Sequence, residues 1–203
     1  VVFPNNLNGS AVRLVLSNKY GDTPARVADL NISVCNEKGI FCGGACVPVT
    51  FDGSDETVLK AGEERVSDII SHEVKAGTYL AVSMYFPDKE LLKSGSSLGT
   101  ADYGGYTFRS EIGDYTKVAE MPLNNETDKA VREISGDQPA DAPMFRSLDI
   151  LTEEGYNVAM LGDSITQMCY WYKPLTERLY KAYPGKIATG NQGIGGGRLC
   201  YDS

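Results

Sequence analysis

The sequence has no run of about 18 apolar residues, so no segment is expected to cross a membrane as a helix. Positive charge is scarce. Lys and Arg total 19 against 27 Asp and Glu, for a net charge of −8, and no basic stripe gathers along the chain. A nucleic-acid backbone is therefore not an expected partner. The acidic balance reads as solubility. Histidine is almost absent: His72, between Ser71 and Glu73, stands alone. The five cysteines are Cys35, Cys42, Cys46, Cys169 and Cys200, an odd number that leaves at least one unpaired. Cys42 and Cys46, with Cys35 upstream, suggest a metal cluster. Cys-x3-Cys without a second pair is not a zinc site, however, and no metal or other cofactor is expected. Val1-Val2-Phe3-Pro4 is not a signal peptide, because no basic start leads into an apolar core. These residues resemble the end of a strand, so the natural chain is expected to begin upstream. The compartment, secreted or cytoplasmic, is left open. No internal repeat occurs.

Hydrophobic residues make up 42% of the 203, and 22 glycines and 9 prolines punctuate them. That balance suits a globular, turn-rich protein of one large domain or two small ones. Up to about Gly155 the chain reads as mostly strand. Ala11 to Ser17 alternates, with Val12, Leu14 and Leu16 on one face, and Asn18 to Asp22 follows as a turn. Val27 to Cys35, Val47 to Phe51, Thr78 to Phe86 and Phe145 to Leu151 are further strands. Residues 87 to 142 read as long loops with one or two strands. Short strands between Gly and Asp turns predict an antiparallel β-sandwich over residues 1–155.

The pattern changes at Tyr156. Tyr156 to Leu161 is a continuous apolar run, as in a strand buried on both faces, and Gly162-Asp163-Ser164 ends it. Trp171 to Ala182 is helical: Trp171, Leu175 and Leu179 recur every four residues, and Pro174 falls in the first turn. Pro184-Gly185 stops the helix. Lys186 to Thr189 is a second strand, and Gly190 to Gly197 is a glycine-rich turn. Residues 156–203 thus predict an α/β segment, the opening βαβ unit of a parallel sheet.

Two motifs carry chemistry. Ligands of open parallel sheets bind at the carboxyl ends of the strands, where Gly162-Asp163-Ser164 falls. A serine hydroxyl there attacks a carbonyl only if a base takes its proton. Gly162 lets the chain turn tightly, and the Ser164 N–H can face a developing oxyanion. The plain alternative is a polar turn that caps the next helix. The second motif is Asn191-Gln192-Gly193-Ile194-Gly195-Gly196-Gly197-Arg198. Its glycines expose backbone N–H groups that suit an anion, and its plain alternative is a flexible turn. A dinucleotide site is not expected, because Gly193-x-Gly195-x-x reaches Arg198 rather than glycine and follows the second strand, not the first. Together the motifs set a nucleophile and an oxyanion donor on one sheet edge.

Met160 to Thr166 resembles the first block of the SGNH (GDSL) hydrolase family, and Asn191-x-Gly193-Ile194-Gly195-Gly196 its second. Trp171, Leu175 and Glu177-Arg178-Leu179 resemble the helix between those blocks. Arg13 to Gly21 and Ala76 to Ser83 are similar to the β-rich domain that precedes this fold in some bacterial esterases and lipases. The resemblance implies a flavodoxin-like parallel sheet, incomplete here. It implies a serine ester hydrolase with Ser164 as nucleophile and the N–H groups of Ser164 and Gly196 as oxyanion donors. Asp163 would hold the loop, and Asn191 and Arg198 would scaffold the turn. The implied substrate is a short-acyl ester of a carbohydrate or small alcohol.

The family also uses an asparagine from a third block and an Asp-x-x-His, and neither is present. His72 lies in the β-rich part and is not the expected base. The missing groups are expected from further chain of the same protein or from a second chain, and residues 1–203 alone are expected to be inactive. The rival is a non-enzymatic β-sandwich that binds a glycan or a partner, with a residual Gly-Asp-Ser turn. Tyr103, Tyr106, Phe108 and Tyr115, in a Gly-rich stretch, would serve it.

Overall fold

A computed structural model describes residues 1–19, 21–37, 39–40, 46–88, 110, 113–122, 144–167, 170–193 and 197. Among these the chain forms β1 (Val2–Asn5), β2 (Gly9–Ser17), β3 (Ala25–Cys35), β4 (Val47–Pro48), β5 (Glu56–Leu59), β6 (Glu64–Val66), β7 (Ile70–Val74) and β8 (Thr78–Tyr85). Then follow β9 (Phe145–Leu151), β10 (Tyr156–Gly162), helices α1 (Ser164–Gln167) and α2 (Tyr172–Ala182), and β11 (Ile187–Gly193). The protein is mostly β, with two antiparallel sheets and a small parallel two-strand sheet beside short helices. No described helix is long and apolar enough to cross a membrane.

The first antiparallel sheet runs β1-β8-β3, and β4 and β5 share the far edge of β3. The second is centred on β2, with β9 on one side and β6 and β7 end to end on the other. The break between β6 and β7 is bridged at Ser67. Its Oγ accepts the Leu14 N–H at 2.8 Å, and its own N–H donates to the Leu14 carbonyl at 2.8 Å. Alternation explains the core. Val12, Leu14 and Leu16 of β2 meet Leu80 and Val82 of β8 in one buried cluster, so both sheets share it. In β3 the alternation changes phase. Val27 faces the core, Asp29 takes a left-handed φ of 48°, and Leu30 and Ile32 face the core after it. The register against β8 shifts at the same place. This is a bulge, and aspartate tolerates that backbone better than a β-branched residue would.

β10 and β11 pair in parallel over their whole length, from Tyr156 with Ile187 to Gly162 with Gly193. Two expectations fail here. β10 is not buried on both faces: Tyr156 is 72% exposed and Leu161 79%. Among the described residues it has one neighbouring strand, and helices cover one face. The glycine-rich turn also begins later than expected. Gly190 to Gly193 continue β11, because pairing with Ala159 to Gly162 holds them extended. The helix stripe is rotated too. Tyr172 and Thr176 are buried on β11, while Trp171 and Leu175 are more than a third exposed. Hydroxyls set that face: Tyr172 OH donates to Thr189 Oγ1 at 2.9 Å and Thr176 Oγ1 donates to it at 3.2 Å.

Asn6 fastens this unit to the β-rich part. Its buried Nδ2 donates to the carbonyls of Ile187 at 2.8 Å and Tyr183 at 3.2 Å. Leu7 forms an antiparallel bridge with Lys186 beside it.

Candidate active site

Ser164 is the first residue of α1, at the carboxyl end of β10. It is half-buried, and its hydroxyl makes no hydrogen bond among the described residues. Asp163 turns its carboxylate back on the loop, where Oδ1 accepts the Ile165 N–H at 3.0 Å. Gly162 is required for a reason different from the one expected. It has no positive φ; the limit is space. A Cβ there would lie 2.0 Å from Thr166 Oγ1 and 2.8 Å from Thr166 Cβ. The strand end and the first helical turn therefore touch at a point where only hydrogen fits.

Asn191 holds the same turn from the neighbouring strand. It is 1% exposed, on β11 and level with Met160. Its Nδ2 donates to the Thr166 carbonyl at 2.8 Å, and its Oδ1 accepts the Gly193 N–H at 2.8 Å. One amide thus ties α1 to the end of β11. Thr166 is the residue that the sequence reading missed. Its four-residue spacing from Gly162, at a strand-to-helix turn, was the available signal.

Ser164, Asp163, Gly162 and Asn191 come together around the paired ends of β10 and β11. Gly196 and Arg198 lie outside the described residues, as do Tyr103, Tyr106, Phe108, Cys42, Cys169 and Cys200. Tyr115 is described and half-buried. Among the described residues no group of three or more His, Cys, Asp or Glu side chains is arranged to hold a metal. Burial pushes the Cys46 thiol above its ordinary pKa, which keeps it protonated and a poor nucleophile near neutrality.

His72 sits on β7, in the β-rich part. It shares a strand face with buried Ile70 and Val74, while Ser71 and Glu73 point the other way, to solvent. Among the described residues its buried Nε2 has no hydrogen-bond partner, and desolvation holds its pKa below the usual value. The neutral imidazole is the form the fold accepts. The unfolded chain takes up a proton near the ordinary histidine pKa of about 6.5 and the folded chain at a lower pH. Stability contributed by neutral His72 is therefore complete above about pH 6.5 and declines as pH falls from there through the folded pKa. Melting temperatures measured from pH 7.5 to 5.5 should drop more steeply for the natural sequence than for His72→Gln. Equal slopes would contradict this account of the imidazole.

No family model matches the chain, and no curated protein matches it.

Proposed function

We propose that the protein is a serine ester hydrolase of the SGNH type, with Ser164 as nucleophile. In this reading the two antiparallel sheets form an accessory β-sandwich, and β10-α1-α2-β11 opens a flavodoxin-like catalytic sheet. The observation that carries it is the position of Ser164: a half-buried serine, its hydroxyl unengaged among the described residues, at the carboxyl end of a parallel strand. The turn around it is built tightly, by the hydrogen-only contact at Gly162 and the Asn191 staple. Such support suits a group that must meet a carbonyl within a few tenths of an ångström.

A histidine base takes the Ser164 proton as Oγ bonds to the ester carbonyl carbon. The oxyanion is held by the N–H groups of Ser164 and Gly196. The carbonyl re-forms, the alcohol leaves with the proton from the base, and water then releases the acid from the acyl-enzyme. Asp163, engaged with Ile165 N–H, shapes the loop and exchanges no proton. The histidine is one that residues 1–203 do not supply. The substrate is a short-acyl ester of a carbohydrate or small alcohol.

The test is pre-steady-state hydrolysis of p-nitrophenyl acetate by the natural protein. An acyl-enzyme route gives a burst of nitrophenolate equal to the enzyme concentration, absent in Ser164→Ala. Nitrophenolate release that is undiminished in folded Ser164→Ala would count against the reading.

A further inference from the structure

A cavity of about 680 Å³ lies between the β-rich part and the parallel strand pair. Its walls come from β1 and β9 on one side and from β10, β11 and α2 on the other. Ser164 is not among its lining residues. The strand register explains why there is space. Asn157 stands level with Ala188, Ala159 with Gly190 and Leu161 with Gln192. These residues share the sheet face turned away from Met160, Tyr172 and α2. Ala188 and Gly190 are small, so the floor of the cavity is open.

We propose that this cavity binds a neutral, hydroxyl-rich ligand: a short oligosaccharide. Three features of the lining point to that chemistry. Flat apolar surface is present in the rings of Phe3 and Phe145, 5.5 Å apart and tilted by 39°. Such rings pack against the C–H faces of a sugar. Groups that both donate and accept are present in the side-chain amides of Asn157 and Gln192. These match hydroxyls, which also do both.

The charges decide against an ion. The Arg146 guanidinium lies 3.8 Å from the Glu64 carboxylate, and its Nη2 donates to Gln192 Oε1 at 3.4 Å. Asp149 is held by Arg13 at 2.9 Å. Among the described lining residues no unbalanced positive charge is left to hold a phosphate, and no unbalanced carboxylate to hold a cation. The volume falls within the range of about 300–1,000 Å³ usual for small-molecule sites. The site is distinct from the serine turn, so its occupancy does not depend on hydrolysis.

Gly190 offers a direct test. A Cβ at Gly190 meets only Gln192 Nε2, at 3.7 Å, and its φ is not left-handed. Gly190→Val therefore fills the floor without forcing the strand, and valine favours extended backbone. The probes are cellopentaose, xylopentaose and mannopentaose, titrated calorimetrically into the natural protein. At least one should bind saturably at one per molecule. Gly190→Val should weaken it by about tenfold or more at an undiminished melting temperature. Asn157→Ala, at an exposed position on the same face as Gly190, should weaken it likewise and decides the matter if the valine variant fails to fold. Ser164→Ala should bind as the natural protein does, whether or not Ser164 is a nucleophile. The proposal is overturned if none of the three binds. It is equally overturned if binding survives both cavity variants, or if inorganic phosphate displaces the sugar.

Discussion

Gly162→Ala is expected to slow ester turnover by about 10²-fold and to destabilise the fold by about 1–3 kcal/mol. The new methyl group would stand 2.0 Å from Thr166 Oγ1 and 2.8 Å from its Cβ. Neither atom can step aside cheaply. Thr166 is β-branched, 5% exposed and fixed on a short helix whose carbonyl is held by Asn191. The relief must come from moving α1, and α1 begins with Ser164. A shift of about 1 Å at the nucleophile is enough for the expected loss. The double variant Gly162→Ala/Thr166→Gly removes the clash and should recover part of the activity relative to Gly162→Ala. Strict additivity of the two changes in a thermodynamic cycle would show that the contact is not the cause.

Asn191→Leu should destabilise the protein by roughly 3 kcal/mol, because it withdraws the partner of two buried backbone groups at about 1–3 kcal/mol each. Those groups are the Thr166 carbonyl and the Gly193 N–H. Leucine keeps the branching at Cγ but is bulkier than asparagine, so overpacking at this buried position adds to the loss. Asn191→Asp keeps an acceptor for Gly193 but sets a carboxylate against the Thr166 carbonyl in a buried place. It should not rescue the fold at neutral pH. Chemical denaturation of the three proteins measures this directly. A leucine variant within about 0.5 kcal/mol of the natural protein would show that the amide is not the tie between α1 and β11.

What was legible in the chain follows from which forces act locally. β9 was visible as Phe145 to Leu151, and β2 and β8 nearly so, because alternation writes a half-buried strand into the order of residues. β6 and β7 were missed: Glu64-Arg65-Val66 is polar and short, and it is a strand only because β2 lies beside it. The phase change in β3 needed the backbone at Asp29 to be seen. Asn191 was read as part of a turn because Gly-Asn-Gln-Gly has turn composition. Parallel pairing with Met160 overrode that propensity. On α2 the apolar spacing pointed to Trp171 and Leu175, yet hydroxyls of Tyr172 and Thr176 chose the buried face by meeting Thr189. At the site, the end of an apolar run at Gly162-Asp163-Ser164 was plain. The steric need for Gly162 was not, because Thr166 reaches it only through the fold.

The central claim is that Ser164 is an activated nucleophile. Its most direct test is labelling of the natural protein with a fluorophosphonate, followed by mapping of the modified peptide. The account predicts one adduct per molecule, on Ser164, absent from folded Ser164→Ala. A folded natural protein that takes up no probe, or one whose adduct persists in Ser164→Ala, would contradict it.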